Sequence, residues 1–104
     1  MKITIQTVHS PESELIHAFV NEKVEKLFNQ NPEIIRADVT LKEGAKKNPI
    51  NKWCSLYISH SGENQFVKRN SASYEESILL AVEAMEKIFR RMKMKKINQR
   101  NDPH

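Results

Sequence analysis

Seven basic residues and no acid fall between positions 87 and 100: Lys87, Arg90, Arg91, Lys93, Lys95, Lys96 and Arg100. The first eighty-six residues hold ten bases against twelve acids, so a net charge of +4 conceals a positive potential gathered at one end. Bases at that density repel one another unless a polyanion neutralises them, and nucleic acid ranks ahead of membrane as that partner. A solvated tail is the competing reading. The other residues with chemistry to offer do not assemble. His9, His17, His60 and His104 show no ligand spacing with one another or with Cys54, so no metal site is expected. Cys54 alternates in phase with Leu56 and Ile58, the pattern of a small core hydrophobe and not of a nucleophile. Gly44 and Gly62, the two glycines, stand too far apart for a phosphate loop. Glu75-Glu76 and the Glu22, Glu25 pair sit at a helix start or beside lysines, where capping and ion pairing account for them. No enzyme, cofactor or small-molecule substrate is expected.

These residues need a scaffold, and the chain has room for one domain. At 104 residues, 38% hydrophobic and 29% charged, it suits a soluble fold with a modest core. The longest apolar run is five residues, 78–82, too short to span a bilayer. The opening Met1-Lys2-Ile3-Thr4-Ile5 alternates and carries no secretory h-region, and the lone Cys54 permits no intrachain disulfide, so a reducing compartment is expected.

Alternation predicts a strand over residues 2–8, with Ile3 and Ile5 on one face. Leu15, Ile16, Phe19, Val20, Val24, Leu27 and Phe28 recur at three and four, predicting an amphipathic helix over 12–29. Ser10-Pro11 reads as its cap, with Ser13 as a rival, and Asn29, Asn31 and Pro32 stop it. Three strands follow. Ile35, Ala37, Val39 and Leu41 alternate with polar residues, Cys54, Leu56 and Ile58 alternate with Trp53 and Tyr57, and residues 65–72 form the last. In that last strand either Phe66 or Val67 faces the core. Ser73-Tyr74-Glu75-Glu76 is a capping box opening a long helix, whose stripe is Ile78, Ala81, Val82, Met85, Phe89 and Met92. The domain is expected to close near residue 97, leaving 98–104 as a tail.

The order β-α-β-β-β-α predicts a two-layer α+β sandwich, a four-stranded sheet with two helices packed on one face. The first helix allows a parallel, right-handed crossover between the first two strands, and the rest meander antiparallel. Two candidate binding surfaces emerge. One is basic and helical: Lys87, Arg90, Arg91, Lys93 and Lys95, with Lys23 and Lys26 on the other helix. Lys23 falls between Ile16, Val20 and Leu27 on the wheel, so its stem runs along the apolar seam. The bland readings are that Lys23 merely snorkels and that Lys26 pairs with Glu22. The other surface is the open sheet face, where Trp53 and Tyr57 stand near Arg36 or Lys42. Exposed aromatics there stack bases, form a dimer contact, or simply cover the sheet.

Several runs, in this order, resemble the ribosome hibernation promoting factor and ribosome-associated inhibitor family (sigma-54 modulation proteins). They are Lys2-Ile3-Thr4-Ile5, Phe19-Val20-Asn21-Glu22-Lys23-Val24-Glu25-Lys26-Leu27, Ala37-Asp38-Val39-Thr40-Leu41-Lys42, and Ile78-Leu79-Leu80-Ala81-Val82-Glu83-Ala84-Met85-Glu86-Lys87-Ile88-Phe89 with the basic run behind it. There are departures. Ser73 takes the place of a usual aspartate, Tyr74 is shifted by one, Ala84 replaces a usual lysine and Ile88 a usual glutamine, and the 43–51 loop is longer.

The resemblance implies a double-stranded-RNA-binding-domain-like fold in a bacterial cytoplasmic protein. It would bind the small ribosomal subunit and its rRNA at the decoding channel and block messenger and transfer RNA in stationary or stressed cells. Lys23, Lys26, Lys87 and Arg91 match the family's basic positions. The chain is similar to short members, which lack a C-terminal dimerising domain, and a second hibernation factor is a candidate partner. The alternative, from another class, is a dimerising regulatory module that acts on a transcription-related protein through the Trp53/Tyr57 face.

Overall fold

The alternating and three-four patterns resolve into six elements: β1 (Ile3–Val8), α1 (Glu14–Gln30), β2 (Ile34–Glu43), β3 (Lys52–His60), β4 (Gln65–Ser71) and α2 (Tyr74–Arg100). The structure is a computed structural model that describes residues 2–9 and 13–100, with residues 95–100 as backbone only. The strands form one mixed sheet in the order β1-β2-β3-β4. β1 lies parallel to β2 with Ile5 opposite Val39, while β2–β3 and β3–β4 are antiparallel. This is the α+β sandwich that the element order predicts.

β2, β3 and β4 bury alternate residues, while Ile3 and Ile5 of β1 are half-buried against the same core. Ala37, Val39 and Leu41 of β2, Cys54, Leu56 and Ile58 of β3 and Val67 of β4 meet Val20, Val24 and Leu27 of α1 and Ile78, Ala81, Val82, Met85 and Phe89 of α2. Each Val, Leu, Ile, Met or Phe among them contributes roughly 1.5–3 kcal/mol on full burial. Val67 settles the phase of β4: it is 6% exposed and its neighbour Phe66 57%. Burial also pushes the Cys54 thiol up to about 12, which keeps it protonated and unreactive.

The helix ends follow local hydrogen bonding. Ser13, the rival cap, is the one that caps α1: its hydroxyl accepts the Ile16 N–H at 3.4 Å. Ser10 and Pro11 lie outside the described residues. Asn31 closes the helix, its N–H bonded to Phe28 O at 3.2 Å and its side-chain amide to Leu27 O at 2.9 Å. Leu15 does not join the core and is 83% exposed. It is five residues from Val20, hence about 140° away on a 3.6-residue wheel.

The capping box of α2 is half made. Ser73 Oγ accepts the Glu76 N–H at 3.2 Å, but the Ser73 N–H is taken at 3.2 Å by Ser71 Oγ and not by Glu76. Ser71 and Ser77 hydroxyls meet at 2.9 Å inside the protein, and Ser77 Oγ donates to Lys52 O, fastening the start of α2 to β3. At the other end of β3, the His60 ring stacks on Phe89 with centroids 5.2 Å apart. α2 continues as helix to Arg100, past the point where its stripe leaves the sheet.

Candidate nucleic-acid interface

With Ile78, Met85 and Phe89 turned to the sheet, Lys87 stands on the opposite side of α2, since two residues separated by about half a turn face apart. Lys87, Arg90, Arg91 and Lys93 are all exposed and spread over about 160° of the helix surface. They fall into two groups. Lys87 and Arg91 line a hollow of about 410 Å³ on the β4 side, floored by Leu80, Ala84 and Ile88, with Glu83 at its edge. Arg90 and Lys93 line a smaller one of about 100 Å³ against the end of α1, beside Gln30, Asn31, Glu86 and Phe89.

A third cation completes the larger hollow. Arg69 of β4 is one of its lining residues. Arg69 shares the phase of Val67 and Ser71, which points its side chain to the helix layer. β4 is an edge strand, so the side chain emerges beside α2. The residues of the basic run gave no sign of it. The available signal was the alternation of β4, once Val67 fixes the phase.

The smaller group is less free. Lys93 Nζ donates to Gln30 O at 2.6 Å. The lysines of α1 sit apart from both hollows. Lys23 is partly buried, its ammonium 5.4 Å from the Phe19 ring and 3.9 Å from Glu22. Among the described residues Glu22 therefore pairs with Lys23 and not with Lys26, which is exposed. The expectation that both helices line one groove reduces to the contact of α2 with the α1 terminus at Gln30 and Asn31. Lys95 lies in α2 where only the backbone is described.

The second predicted surface is real as a location. Lys42 is the cross-strand partner of Trp53, and Asp38 that of Tyr57. Arg36 is engaged elsewhere, with Asp38 at 2.7 Å. On the helix side Glu43 and Lys52 form a cross-strand ion pair. The hydrogen bond from Lys52 holds the Glu43 carboxyl below its ordinary value and raises the Lys52 ammonium above its own. Among the described residues no cluster of His, Cys, Asp and Glu has the makings of a metal site, and no helix is long and apolar enough to cross a membrane.

A two-helix layer with its bases turned outward, on a mixed sheet of this order, has counterparts. A family model described as Sigma 54 modulation protein / S30EA ribosomal protein matches residues 3–97. The chain belongs to that family. The S30EA match takes in every strand, α1 and most of α2, including Lys23, Lys26, Arg69 and the basic run from Lys87 to Lys96. The fold is similar to that of the Thermus thermophilus Protein Y N-terminal domain, with a TM-score of 0.75 and 18% identity over 88% of this chain and 99% of that one. It is equally similar to a ribosomal subunit interface protein from Coxiella burnetii, with a TM-score of 0.75 and 13% identity over 90% of this chain and 99% of that one. At these identities the likeness is one of fold. Comparison with curated proteins by sequence gives no match.

Proposed function

We propose that this S30EA family member is a bacterial, cytoplasmic translation inhibitor that docks on the small ribosomal subunit and fills the decoding channel. It would exclude messenger and transfer RNA there while cells are stationary or stressed. The observation that carries the reading is the outer surface of α2. There Lys87, Arg90 and Arg91, joined by Arg69, stand exposed on a helix whose opposite side is locked into the core. Lys23 and Lys26 extend the positive surface onto α1.

The chemistry required is modest. Lysine and arginine on a rigid support neutralise rRNA phosphates and release their counterions, and the shape of folded RNA selects the site in place of base sequence. Inhibition is steric, so no bond is made or broken. Binding that engages about six phosphates weakens with salt at a log–log slope of roughly −4 to −5.

Sedimentation of a cell lysate through sucrose tests the reading. The protein is expected to travel with small subunits or whole ribosomes at low salt and to be released as salt rises. A protein that stays in the light fractions under all conditions would be a regulator of some other partner, and the proposal would fail.

A further inference from the structure

The sheet face turned away from the helices presents four residues that the basic helix surface does not use: Trp53 and Tyr57 of β3, and Phe66 and Lys68 of β4. Tyr57 and Phe66 are direct cross-strand partners, 38% and 57% exposed. Trp53 lies four residues from Tyr57 along the same strand, a separation of about 13 Å at the strand rise. Lys68, opposite Ser55 between them, holds its ammonium 4.7 Å from the centroid of the Trp53 ring. Asn64 donates to the Tyr57 hydroxyl at 2.9 Å, fixing the outer end of that ring.

We propose that this face is a second nucleic-acid surface, one that takes an unpaired RNA strand. Its bases would stack on the Tyr57–Phe66 pair and, as Lys68 leaves the ring for a phosphate, on Trp53, with further phosphates along Lys42. The two surfaces lie on opposite layers of the sandwich, so this site stands or falls separately from docking through α2. Aromatic rings on a sheet accept bases of any sequence, provided that the bases are unstacked from a helix. Charge complementarity selects the occupant. On this face Arg36 and Asp38 neutralise each other at 2.7 Å, whereas among the described residues no ion pair engages Lys42 or Lys68. The unbalanced charge is positive. A second copy of the chain would bring two such positively charged faces together. Between the rings the face is polar, with the cross-strand pair Thr40 and Ser55 offering hydroxyls, which suits ribose and base edges better than a dry protein contact.

Trp53 is the single tryptophan, so its fluorescence reads the face directly. The experiment titrates the full chain with single-stranded oligouridylate and oligoadenylate, and with a self-complementary RNA duplex of equal length, at low salt. Quenching is expected with the single strands and much less with the duplex. Phe66→Ala, at an exposed position, should weaken single-strand binding at least about fivefold. Lys68→Glu should flatten the salt dependence by about 0.7 or more in log–log slope. The double variant Lys87→Glu, Arg91→Glu should keep the quenching. No quenching, equal quenching by duplex, or loss of quenching in the helix double variant would each overturn the proposal. So would sedimentation showing a dimer whose formation shields Trp53 from oligonucleotide.

Discussion

Lys93 Nζ donates to the carbonyl oxygen of Gln30 at 2.6 Å, tying the basic stretch of α2 to the last turn of α1. The end of a helix carries unsatisfied carbonyls and partial negative charge, and a lysine placed there satisfies one and favours the other. Lys93 thus serves the fold, while Lys87 and Arg91 remain available to phosphate. Lys93→Met, which keeps the aliphatic stem, should lower stability by about 0.5–1.5 kcal/mol. It should change the salt slope of ribosome binding less than Lys87→Met does. An unchanged melting temperature with a full unit lost from the slope would reverse the assignment.

Arg69 converges with Lys87 and Arg91 on one hollow, although eighteen residues of chain separate it from Lys87. Arg69→Glu should therefore behave like Lys87→Glu in binding to small subunits, each removing about one unit of log–log salt slope or more. Circular dichroism and melting temperature should stay near those of the parent, because Arg69 is exposed. A variant that binds as tightly as the parent at every salt concentration would take Arg69 out of the site.

The two apolar residues Leu15 and Phe89 look alike in the sequence pattern and differ in the structure, one 83% and the other 2% exposed. Leu15→Ser should leave the melting temperature within a degree or two. Phe89→Ala removes a ring packed on His60 and opens a cavity, which costs about 3–5 kcal/mol. Comparable losses from both would mean that the α1 faces are misassigned.

That contrast also marks how far the sequence could be read. The strands followed from alternation, because a half-buried strand has a period of two that a helix cannot mimic, and their pairing followed from the connections. The exception is the start of β2, where a register shift buries Ile34 and leaves Ile35 61% exposed. The long helix was legible for the same reason, its stripe running from Ile78 to Met92 without a break. Leu15 was not, since a residue in a first turn satisfies a three-four spacing with Phe19 while pointing about 140° from Val20. Phase in β4 was undecidable from Phe66 and Val67, two adjacent hydrophobes, and everything downstream of that phase was hidden with it. Arg69 reaching α2 and Lys68 covering Trp53 both depend on it. The Lys93 bond to Gln30 joins residues 63 apart and left no local trace.

The Glu43–Lys52 pair gives the protein a small, signed pH dependence. Its carboxyl is held below the ordinary 4.5 by the Lys52 hydrogen bond. The stabilisation is therefore complete above about pH 4.5 and lost as pH falls through the lowered folded value. Lys52 is raised above its ordinary 10.5, so its share is complete below that pH and lost as pH rises through the raised value. Melting curves of the parent and Glu43→Gln should differ by a constant small interval near neutral pH and converge in acid. An interval that widens as pH falls would contradict the pairing.

On the proposed function, exposed cations of α2 and Arg69 of β4 hold the protein in the RNA of the small subunit. Chemical footprinting of isolated small subunits, with and without the purified chain, tests it most directly. Protection is expected at decoding-channel nucleotides, retained in Trp53→Ala and lost in the triple reversal of Arg69, Lys87 and Arg91 to glutamate. Protection that survives the triple reversal, that falls outside the channel, or that never appears at low salt would contradict it.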